Sequence, residues 1–172
     1  MEGVERYKVR LMPHNPERED EYNIVKTELL NLWKKNILDI QHVGSTSIKS
    51  ICAKPILDIA VKLASIKNIN VESLQKAGYS YCGVQHGNEN YHLFVLRGEN
   101  QISLRHIHCY DRSEREFEQL VGFCNYLNSH CDEALQYENI KKKLAKEYPN
   151  DRIAYTKGKE EFIKSIYDKL DI

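Results

Sequence analysis

The chain has 172 residues, enough for one domain, 1–172, with a real hydrophobic core. Hydrophobic residues make up 41% and charged residues 29%, an ordinary balance for a globular protein in water. Lys+Arg and Asp+Glu number 25 each, so no bulk field draws the chain to nucleic acid or to a membrane surface. No apolar run reaches the roughly 20 residues of a membrane span. The N-terminal MEGVERYKVRLMPHN lacks the apolar centre of a signal peptide, so a cytoplasmic location is expected. The cysteines are Cys52, Cys82, Cys109, Cys124 and Cys131. Their odd number and the lack of Cys-x-x-Cys argue against a disulfide framework or a zinc ribbon. Cys52 and Cys109 flank the candidate site described below.

Val4 to Leu11 alternates apolar and charged residues and predicts a short edge strand or an extended arm. Asn15-Pro16-Glu17 predicts a helix start, with Asn15 as N-cap and Pro16 in the first helical position. That helix should run to about Lys35, burying Tyr22, Val25, Leu29, Leu32 and Trp33 on one face. A strand over Leu38–Val43 follows. Gly44-Ser45-Thr46-Ser47 is a small, hydroxyl-rich turn. Gly44 lets the backbone turn tightly or come close to a ligand. The three hydroxyl residues can cap a following helix and aim N–H groups at an anion. Lys54-Pro55 restarts extended structure, and Lys54 can contact an anion or stand exposed. Ile56–Leu63 is nearly continuous apolar, as in a strand covered on both faces. Asp58 inside it needs a partner, because burying a lone charge is costly.

A short helix from Asn70 or Val71 to Ala77 closes at Gly78. Strands are expected at Tyr79–Val84, Tyr91–Arg97 and Ile102–Tyr110, with polar turns at Gln85–Asn90 and Gly98–Asn100. Three helices complete the chain, about Ser113–Ser129, Asp132–Glu147 and Tyr155–Leu170. Ser113 and Glu116 have capping-box spacing, and Pro149-Asn150-Asp151 separates the last two helices. The fold class is α+β: a mixed β-sheet with helices packed on it and a helical C-terminal part from about residue 113. His106 and His108, two apart on a strand, share a face. Two imidazoles with a carboxylate form a ligand set for zinc, manganese or iron, and imidazoles also serve acid–base work near neutral pH.

His42-Val43-Gly44-Ser45-Thr46 followed by Ala53-Lys54-Pro55-Ile56-Leu57-Asp58-Ile59 resembles the GrpB family, which has the polymerase-β-like nucleotidyltransferase fold. The resemblance covers nearly the whole chain. It includes His106-Ile107-His108, Tyr137-Glu138-Asn139-Ile140-Lys141 and Ala154-Tyr155-Thr156-Lys157-Gly158-Lys159. It implies that His42, Asp58, His106 and His108 lie around one cleft. It picks out Lys141, Tyr155 and Lys159 as further ligand-binding residues, beside His42, Gly44, Ser45, Thr46 and Lys54. In the superfamily, Asp58 and an acid two residues on would together hold two Mg²⁺ ions. Here Ala60 stands at the second position. The chain also has Cys124 and Asn128 where relatives often carry arginines, and Lys49 is a new positive charge in the turn.

The first function this implies is binding of a nucleotide or other small phosphate or carboxylate, with nucleotidyl transfer assisted by Asp58 and a divalent ion, Mg²⁺, Mn²⁺ or Zn²⁺. The second is another enzyme class, with Asp58, His106 and His108 as catalytic or metal-binding groups. The third is a non-catalytic binding or regulatory domain. A membrane partner is not expected, nor is nucleic acid.

Overall fold

A computed structural model describes residues 3–5 and 7–172. Eleven helices and strands follow one another among them, with three short 3-10 turns between. α1 spans Glu17–Trp33 and β1 spans Ile37–Val43. A 3-10 turn, Ser45–Ser47, leads towards β2, Leu57–Leu63. α2 (Val71–Lys76), β3 (Tyr79–Gln85), β4 (Asn88–Arg97) and β5 (Ser103–Asp111) follow. α3 (Glu116–Ser129), α4 (Cys131–Glu147), α5 (Arg152–Lys157) and α6 (Glu160–Leu170) complete the order.

The sheet order is β1-β2-β5-β4-β3. β2 and β5 are parallel and central; the other pairings are antiparallel. Because side chains alternate across a strand, β2 and β5 each serve two layers. Ile59, Val61, Ile107 and Cys109 pack with Tyr22, Val25, Leu29 and Trp33 of α1. On the other face Ala60 and Tyr110 pack with Phe117, Phe123 and Leu127 of α3, Tyr137 of α4 and Ile166 of α6. No helix among the described residues is long and apolar enough to cross a membrane.

Several boundaries differ from the sequence reading, each for a local reason. Pro16 is the cap of α1 rather than its first residue, with the Asn15 carboxamide oxygen accepting from the Glu17 N–H. Leu32 is exposed, one step off the buried stripe. The N-terminal segment, whose Arg6 lies outside the described residues, is an arm joined by an isolated bridge from Val4 to Ser103. The loop before β4 shrinks to His86-Gly87, because both residues take positive φ and close a tight hairpin. Ser113 does not cap α3: its hydroxyl donates to the Asp111 carboxylate at 2.9 Å, and the helix starts at Glu116 with no side-chain cap. The last predicted helix is two helices. They part at Gly158, where a Cβ would lie 2.4 Å from a Leu144 methyl, so α4 and the break pack against each other.

Candidate functional site

The layer beneath α3–α6 encloses a cleft of about 320 Å³. Its floor is the β2–β5 pair. In that parallel register Asp58 lies beside His106 and Ala60 beside His108, so all four side chains share one face. The Asp58 Oδ1 is 2.9 Å from Nδ1 of His106 and 3.4 Å from Nε2 of His108. An ionised carboxylate only accepts, so both facing ring nitrogens carry protons when no cation is bound. His108 then accepts at Nδ1 from the Tyr91 hydroxyl, 2.6 Å away. Burial alone would raise the Asp58 carboxyl, but its two histidine hydrogen bonds outweigh that and hold it far below the usual carboxylate range. Burial holds His106 below the usual imidazole range, against the pull of Asp58. The three ligand atoms lie within 4.8 Å of one another, a spacing that can close on one metal ion. To ligate it both rings would exchange tautomers, and the Tyr91 hydroxyl can accept from His108 as readily as donate.

The Gly-Ser turn forms the adjoining wall. Gly44 has φ +71°, and a Cβ there would sit 2.7 Å from the Asp58 Oδ2. Glycine is therefore required twice, by backbone angle and by the approach to the acid. Ser45 faces the cleft, but the other turn hydroxyls are turned away from it and cap no helix. Thr46 donates to the Ile56 carbonyl at 3.2 Å and Ser47 to the Gly44 carbonyl at 2.7 Å. Asn128 braces the turn: its carboxamide donates to the Ser47 carbonyl and accepts from the Lys49 N–H.

Positive charge enters from the segment before β2 and from the C-terminal helices. Lys54, Arg152 and Lys159 line the cleft, all half-buried. Lys54 and Lys159 sit over the Tyr155 ring, 5.4 and 4.8 Å from its centre. Burial, then the charges of Lys159 and Arg152, lower Lys54 to about 8. Burial also lowers Lys159 to about 8. The Gly158 break lets Lys159 and Tyr155, on different helical segments, reach this same wall.

Three expected site residues lie elsewhere. His42 pairs with Ile59 and therefore points to the α1 face, while its neighbour Val43 pairs with Asp58. The His42 ring stacks on Tyr22, centroids 5.6 Å apart, and its Nε2 is 3.0 Å from the Thr46 hydroxyl. His42, Thr46 and Lys49 line a separate groove behind the turn. Lys141 is fully buried on the inner side of α4, donates to the Cys52 carbonyl and lies over the Tyr137 ring. Burial lowers its amine to about 7. Cys109 points to the α1 face, and Cys52 is half-buried.

Tyr91, Tyr110, Glu116 and Tyr167 also line the cleft and were not singled out from the sequence. Tyr110 continues the period of two from His106 and His108, which is the signal that could have found it. Glu116, whose spacing from Ser113 predicts a capping box, lines the cleft instead, and burial pushes its carboxyl up.

Comparison with known proteins follows the same lines. A protein named glutamate-rich protein GrpB from Alkalihalophilus pseudofirmus is 32% identical over 174 residues, covering 99% of this chain and all of that one. YqkA of Bacillus subtilis is 30% identical over 92% of this chain, which spans only 46% of that relative's length. The crystal structure of GrpB from Enterococcus faecalis superposes with a TM-score of 0.84, at 27% identity and 93% and 96% coverage of the two chains. The Cid1 poly(U) polymerase bound to MgATP gives 0.52 at 11% identity, over 79% of this chain and 44% of that one, a likeness of fold alone. The sheet, its helices and these likenesses make the fold nucleotidyltransferase-like. Residues 8–169 match the family described as GrpB protein, and this chain belongs to the GrpB family.

Proposed function

We propose that this protein binds a phosphate-bearing small molecule, such as a nucleotide, in the cleft under α3–α6. Its anionic end is held by Lys54, Arg152 and Lys159, with at most one divalent ion on Asp58, His106 and His108. The observation that supports this most directly is the convergence of three cations on one half-buried wall. Burial and mutual repulsion make that arrangement costly; the Asp58 carboxylate offsets only part of the cost, since both lysine amines stay lowered. A phosphate offers the charge and several acceptor oxygens at once.

The donor set does not fit a pair of Mg²⁺ ions. Two such ions need bridging carboxylates; Ala60 fills the second acid position and is fully buried. One acid and two imidazoles fit a single borderline ion such as Zn²⁺ or Mn²⁺. When bound, it would polarise a phosphoryl oxygen as a Lewis acid. Nucleotidyl transfer is therefore proposed only in a form that uses one protein-held ion. A second reading, acid–base chemistry on a small metabolite, is favoured by the Tyr91–His108–Asp58 chain of hydrogen bonds.

Calorimetric titration of the full chain with inorganic phosphate and with adenosine triphosphate tests the binding reading. Lys54→Ala and Lys159→Ala should each weaken binding by about tenfold or more, since each removes a charge-assisted contact. Unchanged affinity in both variants would overturn it.

A further inference from the structure

Glu138 and Lys141 are buried, and neither lines the cleft. They stand three apart on α4 and therefore share a face of the helix. Both reach one residue of another segment. The Glu138 Oε1 accepts from the Cys52 N–H at 2.6 Å, and the Lys141 Nζ donates to the Cys52 carbonyl. The other Glu138 oxygen, Oε2, meets the Lys142 amine at 2.8 Å. Cys52 is thus gripped by its donor and its acceptor at once. An apolar side chain would fill the place of Lys141 without the cost of burying an amine. What the lysine adds is a donor for the Cys52 carbonyl.

Cys52 lies between the Gly-Ser turn and β2, two residues before Lys54. The described residues 48–56 form no helix or strand beyond an isolated bridge from Ala53 to Met12. Just past Lys54, Arg18 donates to the Pro55 carbonyl at 3.1 Å. The Lys54 amine meets the Tyr155 ring and, among the described residues, has no hydrogen bond or ion pair. Its stem is flexible, so the place of the amine depends on how firmly the backbone beneath it is held. Tyr137, next to Glu138, lines the cleft, and its hydroxyl lies close to Ser45. One stretch of α4 therefore meets both the Gly-Ser turn and the segment that carries Lys54.

We propose that Glu138 and Lys141 are positioning residues, which fix the Cys52 backbone and through it set the Lys54 amine against the anion in the cleft. This rests on the reading of Lys54 as part of the phosphate end. Neither residue touches the ligand; both act through Cys52.

Calorimetric titration of the full chain with inorganic phosphate tests this. Lys141→Met removes the donor but keeps an unbranched stem, and should weaken phosphate about fivefold. In a Lys54→Ala background the same substitution should change affinity less than about twofold, because no amine is left to position. A general loss of structure, or of positive charge behind the wall, would act equally in both backgrounds. Glu138→Ala should weaken phosphate about as much as Lys141→Met. Glu138→Gln should stay within about twofold of the parent, since its carboxamide oxygen still accepts from the Cys52 N–H. The Glu138 pair decides the matter even if Lys141→Met does not fold. Equal losses with and without Lys54, or Glu138→Gln as weak as Glu138→Ala, or parental affinity in Glu138→Ala, overturns the positioning role alone. A parent that does not bind phosphate, or a Lys54→Ala variant that binds it as the parent does, overturns the role of Lys54 in the phosphate end and the positioning role with it.

Discussion

The two faces of one sheet have opposite chemistry, although the same strands build both. On the α1 face, Ile59, Val61, Ile107 and Cys109 meet an apolar helix stripe and form one buried cluster. On the cleft face the residues between them are Asp58, Ala60, His106, His108 and Tyr110, and 320 Å³ stays open. The first face contributes burial; the second spends part of that stability on half-buried charge. His42 marks the difference. It stands two residues from the Gly-Ser turn's glycine, yet falls on the packed face and serves as a prop for Thr46.

The largest effect expected from breaking this contrast is on the packed face. Ile107→Ala should cost about 2–5 kcal/mol in chemical denaturation. Ligand binding by the fraction that stays folded should change little, since Ile107 faces away from the cleft.

Gly44→Ala should come next, with a cost of about 1–3 kcal/mol from the backbone at φ 71°, ψ −175° alone. It should also lose metal or anion binding, because the added methyl pushes on Asp58. A variant with parental stability and binding would show that the turn is free to move.

His42→Ala should cost about 0.5–1.5 kcal/mol through the lost Thr46 contact. Binding in the cleft should be unaffected, and a loss of binding out of proportion to stability would return His42 to the site.

The last effect is a pH slope. Lys54 and Lys159 titrate near 8 in the folded chain and at 10.5 when unfolded. Between those values the unfolded state binds more protons, so stability should rise as pH climbs from about 8 towards 10. Phosphate affinity should fall over the same range as the amines lose charge. Asp58 acts on the acid side: its lowered folded value gives stability above its unfolded value, lost as pH falls through the folded one. A flat thermal-unfolding profile from pH 8 to 10 would mean that the lysines are not held in a positive cluster.

The central strands and their acid were legible because apolar runs and the period of two, which pairs His106 with His108, are local signals. The register that sets Asp58 beside His106 joins residues 48 apart in sequence, and only the family resemblance pointed to it. The misplacement of His42 and Thr46 came from nearness in sequence to Gly44, which says nothing about which face a side chain takes. Lys141 was picked out for the cleft by the family resemblance alone, whereas tertiary packing buries it against Cys52 and Tyr137. Glu116, Tyr91 and Tyr167 come from three different elements, so no spacing rule could unite them. The split at Gly158 depends on Leu144 of another helix, a contact that no local pattern carries.

The direct test of the account is the metal stoichiometry of the apo chain. Calorimetric titration with Mg²⁺, Mn²⁺ and Zn²⁺, with and without adenosine triphosphate, should find no more than one ion per chain without nucleotide. Zn²⁺ or Mn²⁺ should bind more tightly than Mg²⁺, and Asp58→Asn should abolish that binding while the chain stays folded. Two Mg²⁺ ions bound tightly per chain without nucleotide, or parental metal binding by Asp58→Asn, would contradict the single-ion site built on Asp58, His106 and His108.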